Sequence, residues 1–174
     1  MKAKIVIIDD DKVQIRQFKQ ALSAADFEVI LVSETLGLVP IFEGKEHQNA
    51  TFFLVDMVMP AGKLYEKEET ANGMYTGLFV SRDLRKKFPA HPIILWTSAH
   101  VDEVLKAAEK HASKIHNCHY TKKIDMSPSE LVDELTYFLE KGKFRSNVFK
   151  LLWKVARVGG GLLGFGADFK EISS

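Results

Sequence analysis

Strand-like and helix-like segments alternate five times along this chain, and this alternation constrains the fold more than any other feature. Five short runs rich in β-branched and aromatic residues are each followed by apolar residues at helical spacing. The predicted strands cover residues 4–8, 28–32, 51–55, 92–96 and 116–121. Repeated strand–helix units of this kind predict an α/β fold, in which helices cover both faces of a doubly wound, five-stranded parallel sheet.

The helical segments are predicted at residues 12–25, 36–42 and 77–88, at about 101–108, and from residue 128 onward. Ser127 and Glu130 form a capping box that opens the last of these helices, with Pro128 at its first position. Residues 61–76 make a polar connection that is long for a link between a strand and a helix. This insertion is either a solvated surface excursion or a segment that shapes access to the neighbouring end of the sheet.

Composition excludes several classes of protein. The formal net charge of the 174 residues is +1, which gives no bulk attraction to nucleic acid. The single cysteine, Cys118, excludes an intrachain disulfide and fits a reducing, cytoplasmic location. The first residues do not have the pattern of a signal peptide, and no stretch has the length and apolar character of a membrane span.

Chemically active side chains stand where the predicted strands end. Asp9 and Asp10 follow the first strand, Asp56 the third, Thr97 the fourth and Lys122 the fifth. The carboxyl ends of parallel strands share one edge of the sheet, so these groups should converge there. Clustered carboxylates suit Mg²⁺, and an aspartate beside that ion can act as a nucleophile toward a phosphoryl group. For Asp56 alone, a capping role in the next loop is an equal alternative.

Four segments, IVIIDDD, FFLVDMVMP, PIILWTSA and YTKKIDMSPSEL, follow one another in an order and spacing that resemble a response-regulator receiver domain. The resemblance covers roughly residues 2–141 and implies the flavodoxin-like fold of the CheY-like superfamily. It implies that Asp56 is the phosphoacceptor. Asp10 would then bind Mg²⁺ directly, Asp9 would act largely through water, and the Val58 carbonyl would complete the protein ligands.

The same resemblance implies a switch hydroxyl at Thr97 and a phosphate-pairing lysine at the end of the fifth strand. Receiver domains usually have Lys-Pro there, whereas this chain has two adjacent lysines. Alignment of KKID with the family motif favours Lys122 over Lys123. The family's switch aromatic position would then fall on His119, or on Tyr120 if Lys123 is the pairing lysine.

The function implied is that of a response regulator in a two-component phosphorelay. A histidine kinase or a histidine phosphotransfer protein would donate the phosphoryl group. The chain would catalyse its own phosphorylation and dephosphorylation, and is otherwise not expected to be an enzyme. It would signal through protein contacts, without a DNA-binding output domain. The alternative is a receiver-like scaffold or adaptor that is not phosphorylated and whose C-terminal helix binds a partner or a membrane surface.

The C-terminal segment differs from the rest of the chain in charge. Residues 1–140 carry 17 basic and 21 acidic residues, a net charge of −4, whereas residues 141–158 carry six basic residues and no acid. We therefore predict a receiver domain at 1–141 and a basic amphipathic extension at 142–174. The extension could pack on the receiver as a sixth helix, or bind a partner, a second copy or a membrane surface through residues 142–166. We expect it to dock on the acidic receiver in one phosphorylation state.

Overall fold

Five apolar runs of the chain form one parallel sheet in the computed structural model, which describes residues 2–144. The strands are β1 (Lys4–Ile8), β2 (Glu28–Val32), β3 (Phe52–Asp56), β4 (Ile93–Thr97) and β5 (Cys118–Lys122). Their order across the sheet is β2-β1-β3-β4-β5, and every neighbouring pair is parallel. The predicted doubly wound α/β fold is confirmed.

Three strands extend one residue beyond their predicted ends. β3 includes Asp56, β4 includes Thr97 and β5 includes Lys122. The cross-strand register explains the difference, because Asp56 pairs with Trp96 and Thr97 pairs with Lys122. Backbone pairing therefore continues through Asp56 and Lys122, two residue types that intrinsic strand propensity disfavours.

Within residues 2–144, five helices flank the sheet: α1 (Lys12–Ala24), α2 (Val39–Phe42), α3 (Thr76–Lys87), α4 (Asp102–Ala112) and α5 (Pro128–Lys141). A short 3₁₀ turn, Thr35–Leu38, leads into α2. The Asp11 side chain caps α1 by accepting hydrogen bonds from two backbone N–H groups of its first turn. The capping box of Ser127 and Glu130 is present at the start of α5, as predicted.

Alternating side chains of the strands supply two separate cores. Ile5, Ile7, Phe52 and Trp96 belong to the core beneath α1 and α5. The opposite faces of the same strands pack beneath α2, α3 and α4. All five residues of β3 are buried, as are all five of β4. Helices cover both faces of these two strands, so even their polar last residues are shielded from solvent. Asp56 and Thr97 therefore lie in a largely enclosed position at the sheet edge.

The insertion at 61–76 packs back against the domain. Tyr65 is 3% exposed and its ring lies 6.4 Å from that of Phe79 in α3. Thr35 Oγ1 donates a hydrogen bond to the Ala61 carbonyl oxygen at 2.9 Å. Further along, Arg82 of α3 makes a 3.0 Å ion pair with Glu68. The insertion is therefore anchored at several points and is not simply a solvated excursion.

The predicted extension at 142–174 lies outside the described residues beyond Phe144, so the division near residue 141 stays a prediction. Gly142 ends α5 in the left-handed conformation, with φ of 69°. The Phe144 ring then stacks on His119 of β5 at 5.1 Å and contacts Phe138 of α5 at 4.5 Å. Among residues 2–144, no helix combines the length and the apolar character needed to cross a bilayer.

Helix α3 approaches the end of β3 so closely that only glycine fits at its second position. A Cβ atom on Gly77 would overlap the Asp56 carbonyl oxygen and lie 2.7 Å from the Cα atom of Met57. The Gly77 N–H also donates to the Met57 carbonyl oxygen at 3.1 Å.

We expect Gly77→Ala to lower the free energy of unfolding by about 3 kcal/mol or more, because backbone atoms must separate to admit the methyl group. Gly142→Ala is the control. It has no neighbour within 4 Å of the added Cβ, and only its positive φ opposes the change, so it should cost about 1 kcal/mol. Urea unfolding of both variants measures the difference. Equal losses would contradict the close packing of α3 on β3.

Candidate functional site

Carboxylates from two adjacent strands converge at the carboxyl edge of the sheet, as the sequence predicts. Asp9 and Asp10 directly follow β1, and Asp56 is the last residue of β3. One carboxylate oxygen from each of the three lies within 4.8 Å of the other two. Asp10 and Asp56 border an open pocket of about 370 Å³. The remaining lining residues are Asp11, Gln14, Val58, Thr97, Ser98, Ala99 and Lys123.

The three aspartates differ in exposure and in hydrogen bonding. Asp9 is fully buried, and its Oδ1 accepts the Asp11 N–H at 3.0 Å. Asp56 is 5% exposed, and its Oδ1 accepts the Val58 N–H at 3.3 Å. Asp10 is exposed at the mouth of the pocket. Two of the carboxylates therefore lie within the protein and the third faces solvent.

Lys123, and not Lys122, enters this cluster. Its Nζ lies 2.6 Å from Asp9 Oδ2 and donates a hydrogen bond to Asp56 Oδ2 at 2.8 Å. The preference for Lys122 was therefore wrong about position. β5 continues through Lys122, which is half-buried within the strand, so the residue that leaves the sheet edge is Lys123.

Burial and charge oppose each other in this group. The pKa of Asp56 is raised to about 6: burial is the largest cause, the Lys123 ammonium opposes it, and repulsion from Asp9 adds to it. Burial also raises the pKa of Asp9, against the attraction of the same ammonium. The site therefore holds more negative charge than one lysine compensates.

The donor set fits a hard divalent cation. Asp9 Oδ2 is buried, and its close neighbour is Lys123 Nζ at 2.6 Å. Oxygen atoms of Asp10 and Asp56 lie within 4.8 Å. Carboxylate oxygens at this spacing, beside an open pocket that admits water, are what Mg²⁺ prefers. The cluster could therefore bind a metal ion.

Thr97 also lies at this edge, where it is fully buried at the end of β4. Its Oγ1 accepts a hydrogen bond from the Ala99 N–H at 3.1 Å. Ser98 Oγ donates a hydrogen bond to Gln14 Oε1 of α1 at 2.9 Å. Gln14 and Ser98 were not predicted to belong to the site, and Lys122 was preferred to Lys123. A longer fifth strand would have indicated Lys123, but no sequence signal marks the Gln14–Ser98 pair.

Two aromatic positions depended on the choice of lysine. With Lys123 at the site, the residue three positions earlier is Tyr120. Tyr120 is half-buried, and burial raises the pKa of its hydroxyl, to which the charges of Glu109 and Asp125 add. His119 instead stacks on Phe144. If Lys123 is the pairing lysine, the switch aromatic position that the family resemblance implies falls on Tyr120.

The insertion does not line the acidic pocket. Its residues line a different groove of about 240 Å³, in which Gly62 meets the turn that contains Ser33 and Thr35. The hypothesis that the insertion shapes access to Asp56 therefore has no support from the lining of the pocket.

Comparison with known proteins identifies the fold through structure. No protein-family model and no curated protein sequence matches the chain. Among solved structures, the response regulator DrrB of Thermotoga maritima, an OmpR/PhoB homologue, aligns with a TM-score of 0.59 and 19% identity. The alignment covers 83% of this chain and 55% of DrrB, so the chain spans little more than half of that protein.

A CheY-like receiver domain protein from Methanospirillum hungatei JF-1 aligns with a TM-score of 0.59 and 20% identity, over 81% of this chain and 96% of that one. The BeF3-activated DrrB receiver domain aligns with a TM-score of 0.58 and 20% identity, over 81% and 100%. The chain has the receiver fold. The predicted resemblance to receiver domains is thus confirmed in structure, with the sheet order found here.

The two adjacent lysines allow a direct test of the receiver-fold site. We expect Lys123→Met to lower the free energy of unfolding by about 3–5 kcal/mol at pH 7 without divalent cation, because Asp9 and Asp56 lose their counter-charge. Lys122→Met should change it by no more than about 0.5 kcal/mol. Urea unfolding in the presence of a chelator measures both. If Lys122→Met lost more free energy of unfolding than Lys123→Met, Lys122 would be the lysine that pairs with the aspartates.

The raised pKa of Asp56 predicts a pH dependence of stability. Its pKa is about 6 in the folded protein and 3.8 as the ordinary value. Between these values the folded state binds more protons than the unfolded state, so the carboxyl group makes stability fall as pH rises from about 4 to about 6. Asp56→Asn lacks this titration. Its stability relative to the wild type, measured by urea unfolding with chelator, should increase through that window and then level off. A constant difference would contradict the raised pKa.

Proposed function

We propose that this chain is a response-regulator receiver module that accepts a phosphoryl group on Asp56 in the presence of Mg²⁺. The observation that carries the proposal is a nearly buried carboxylate at a strand end, in contact with a buried ammonium and close to two further carboxylates. A lone capping aspartate would need none of these neighbours. Asp56 also borders an open pocket that a phosphodonor could enter.

Each residue of the site has a defined part in this proposal. Asp9, Asp10, Asp56 and the backbone carbonyl of Val58 would hold Mg²⁺, with Asp9 acting largely through water. The ion, when bound, neutralises charge on the phosphoryl oxygens. Asp56 is mostly ionised at pH 7, because its pKa is about 6, and its carboxylate oxygen is the nucleophile.

In the transfer step, a carboxylate oxygen of Asp56 forms a bond to phosphorus. The bond from phosphorus to the histidine nitrogen of the donor breaks, and its electron pair returns to that nitrogen. The Lys123 ammonium, already 2.8 Å from Asp56 Oδ2, is placed to pair with the transferred oxygens. The Thr97 hydroxyl would also donate a hydrogen bond to the transferred oxygens, after a short movement of its turn.

The donor would be a histidine kinase or a histidine phosphotransfer protein. Phosphorylation adds about −1.5 to −2 charges at one edge of the sheet. Thr97 and Lys123 would turn toward this charge, and the segments that follow them lead into α4 and α5. Output would therefore occur through protein contacts that depend on these loops. A cytoplasmic location follows from this proposal and from the partners that it requires.

One observation favours the alternative of a scaffold that is not phosphorylated. Lys123 bridges Asp9 and Asp56 directly, and this ion pair stabilises both carboxylates without any ligand. In a scaffold, the cluster would serve only to hold β1, β3 and β5 together. The two functions differ in whether Asp56 reacts.

We expect wild-type protein to be labelled by acetyl phosphate in the presence of Mg²⁺ and not in the presence of a chelator, because the carboxylates alone repel an anionic donor. Asp56→Asn should abolish the labelling while remaining folded by circular dichroism. Asp102→Asn, which changes an exposed carboxylate at the start of α4, is the control and should be labelled normally. Intact mass spectrometry measures the product. Unchanged labelling of Asp56→Asn would move the site elsewhere, and an unlabelled wild type would favour the scaffold.

A further inference from the structure

The turn that follows β4 positions the Thr97 hydroxyl. Thr97 is fully buried, and its Oγ1 accepts the Ala99 N–H at 3.1 Å, two residues further along the chain. The hydroxyl position is thus set by the conformation of residues 97–99 and cannot be adjusted by free rotation in solvent. Whatever holds this turn also holds the hydroxyl that faces the acidic pocket.

A side chain of α1 holds the turn from the other side of the pocket. Ser98 Oγ donates a 2.9 Å hydrogen bond to Gln14 Oε1, across 84 positions of sequence. Both residues are half-buried, and both line the pocket that contains Asp10 and Asp56. The bridge therefore spans the mouth of the site, from the helix that follows Asp10 to the turn that follows Thr97.

Gln14 is itself well supported. It lies in the first turn of α1, where its N–H donates to the capping side chain of Asp11 at 2.9 Å. Ile15, the next residue, is 1% exposed and packs in the core beneath α1 and α5. A hydrogen bond from a loop to such a residue restricts the loop, because the residue is fixed by the packing of its helix.

We propose that Gln14 is a positioning residue that orders the Thr97 turn through Ser98 and thereby increases the rate at which Asp56 is phosphorylated. The catalytic part of this inference rests on the function proposed above. Its physical basis is preorganisation: a hydroxyl already in place stabilises developing charge without first losing the freedom of its turn. Gln14 acts on Thr97 alone and should leave the binding of Mg²⁺ unchanged.

The structural half of the proposal can be tested without any phosphorylation. In Gln14→Ala, hydrogen exchange of the Ala99 amide, measured by NMR, should be faster by about two- to tenfold, which corresponds to the loss of one side-chain hydrogen bond. Gln17→Ala changes an exposed glutamine one turn away and is the matched control. Ser98→Ala should reproduce the effect, and the double variant should show no further increase. Additive effects, or unchanged exchange in Gln14→Ala, would overturn the proposal.

The catalytic half is tested by the initial rate of labelling with acetyl phosphate at saturating Mg²⁺. Gln14→Ala and Ser98→Ala should each be slower by about two- to tenfold, and Ser98→Thr, which keeps the hydroxyl group, should restore the rate. The dissociation constant for Mg²⁺, measured by calorimetry, should be unchanged in each variant. A rate that stays constant or increases would overturn the positioning role.

The two failures can be told apart. If wild-type protein is never labelled, the proposed function fails, whatever the amide exchange shows. If wild-type protein is labelled and Gln14→Ala is labelled equally fast, only the positioning role fails.

Discussion

The Lys123 ammonium between Asp9 and Asp56 is the contact on which the carboxyl edge of the sheet depends. Two carboxylates that are at least nine-tenths buried would each be costly if left alone. Together with Asp10, the cluster has three carboxylates and one ammonium, so two negative charges remain when all are ionised. A divalent cation would neutralise this remainder, whereas a second lysine would leave it half-compensated. The charge of the site thus agrees with the geometry in favouring a divalent ion.

The same edge is built on close backbone packing. Gly77 brings α3 against the Asp56 carbonyl, and β3 pairs with β1 and β4 along its length. The Asp56 backbone is consequently held on two sides, by its pairing with Trp96 of β4 and by the contact with Gly77 of α3. Ser98 and Ala99 lie in the connection after β4, and Lys123 begins a 3₁₀ turn after β5. A carboxylate held by the sheet thus lies beside partners that belong to connecting segments.

Much of the fold was predictable because its signals are local. Short runs of β-branched and aromatic residues indicated all five strands, and the capping box marked the start of α5. The positions of Asp9, Asp10, Asp56 and Thr97 followed from the rule that parallel strands end at one edge. The choice between Lys122 and Lys123 did not follow from this rule, because it depends on one additional residue pair, Thr97 with Lys122, between β4 and β5. The bond between Gln14 and Ser98 depends on how α1 sits against β4, which no pattern within either segment reveals.

The anchored insertion has a practical consequence for work on this protein. Its buried residues, Tyr65 and Thr70, fasten it to the domain, while Lys67 and Asn72 face solvent. None of these side chains borders the acidic pocket. The exposed positions are therefore suitable attachment points for a fluorescent probe or an affinity handle, because the pairing of Glu68 with Arg82 holds the segment to α3. A probe placed there would leave the aspartates uncovered.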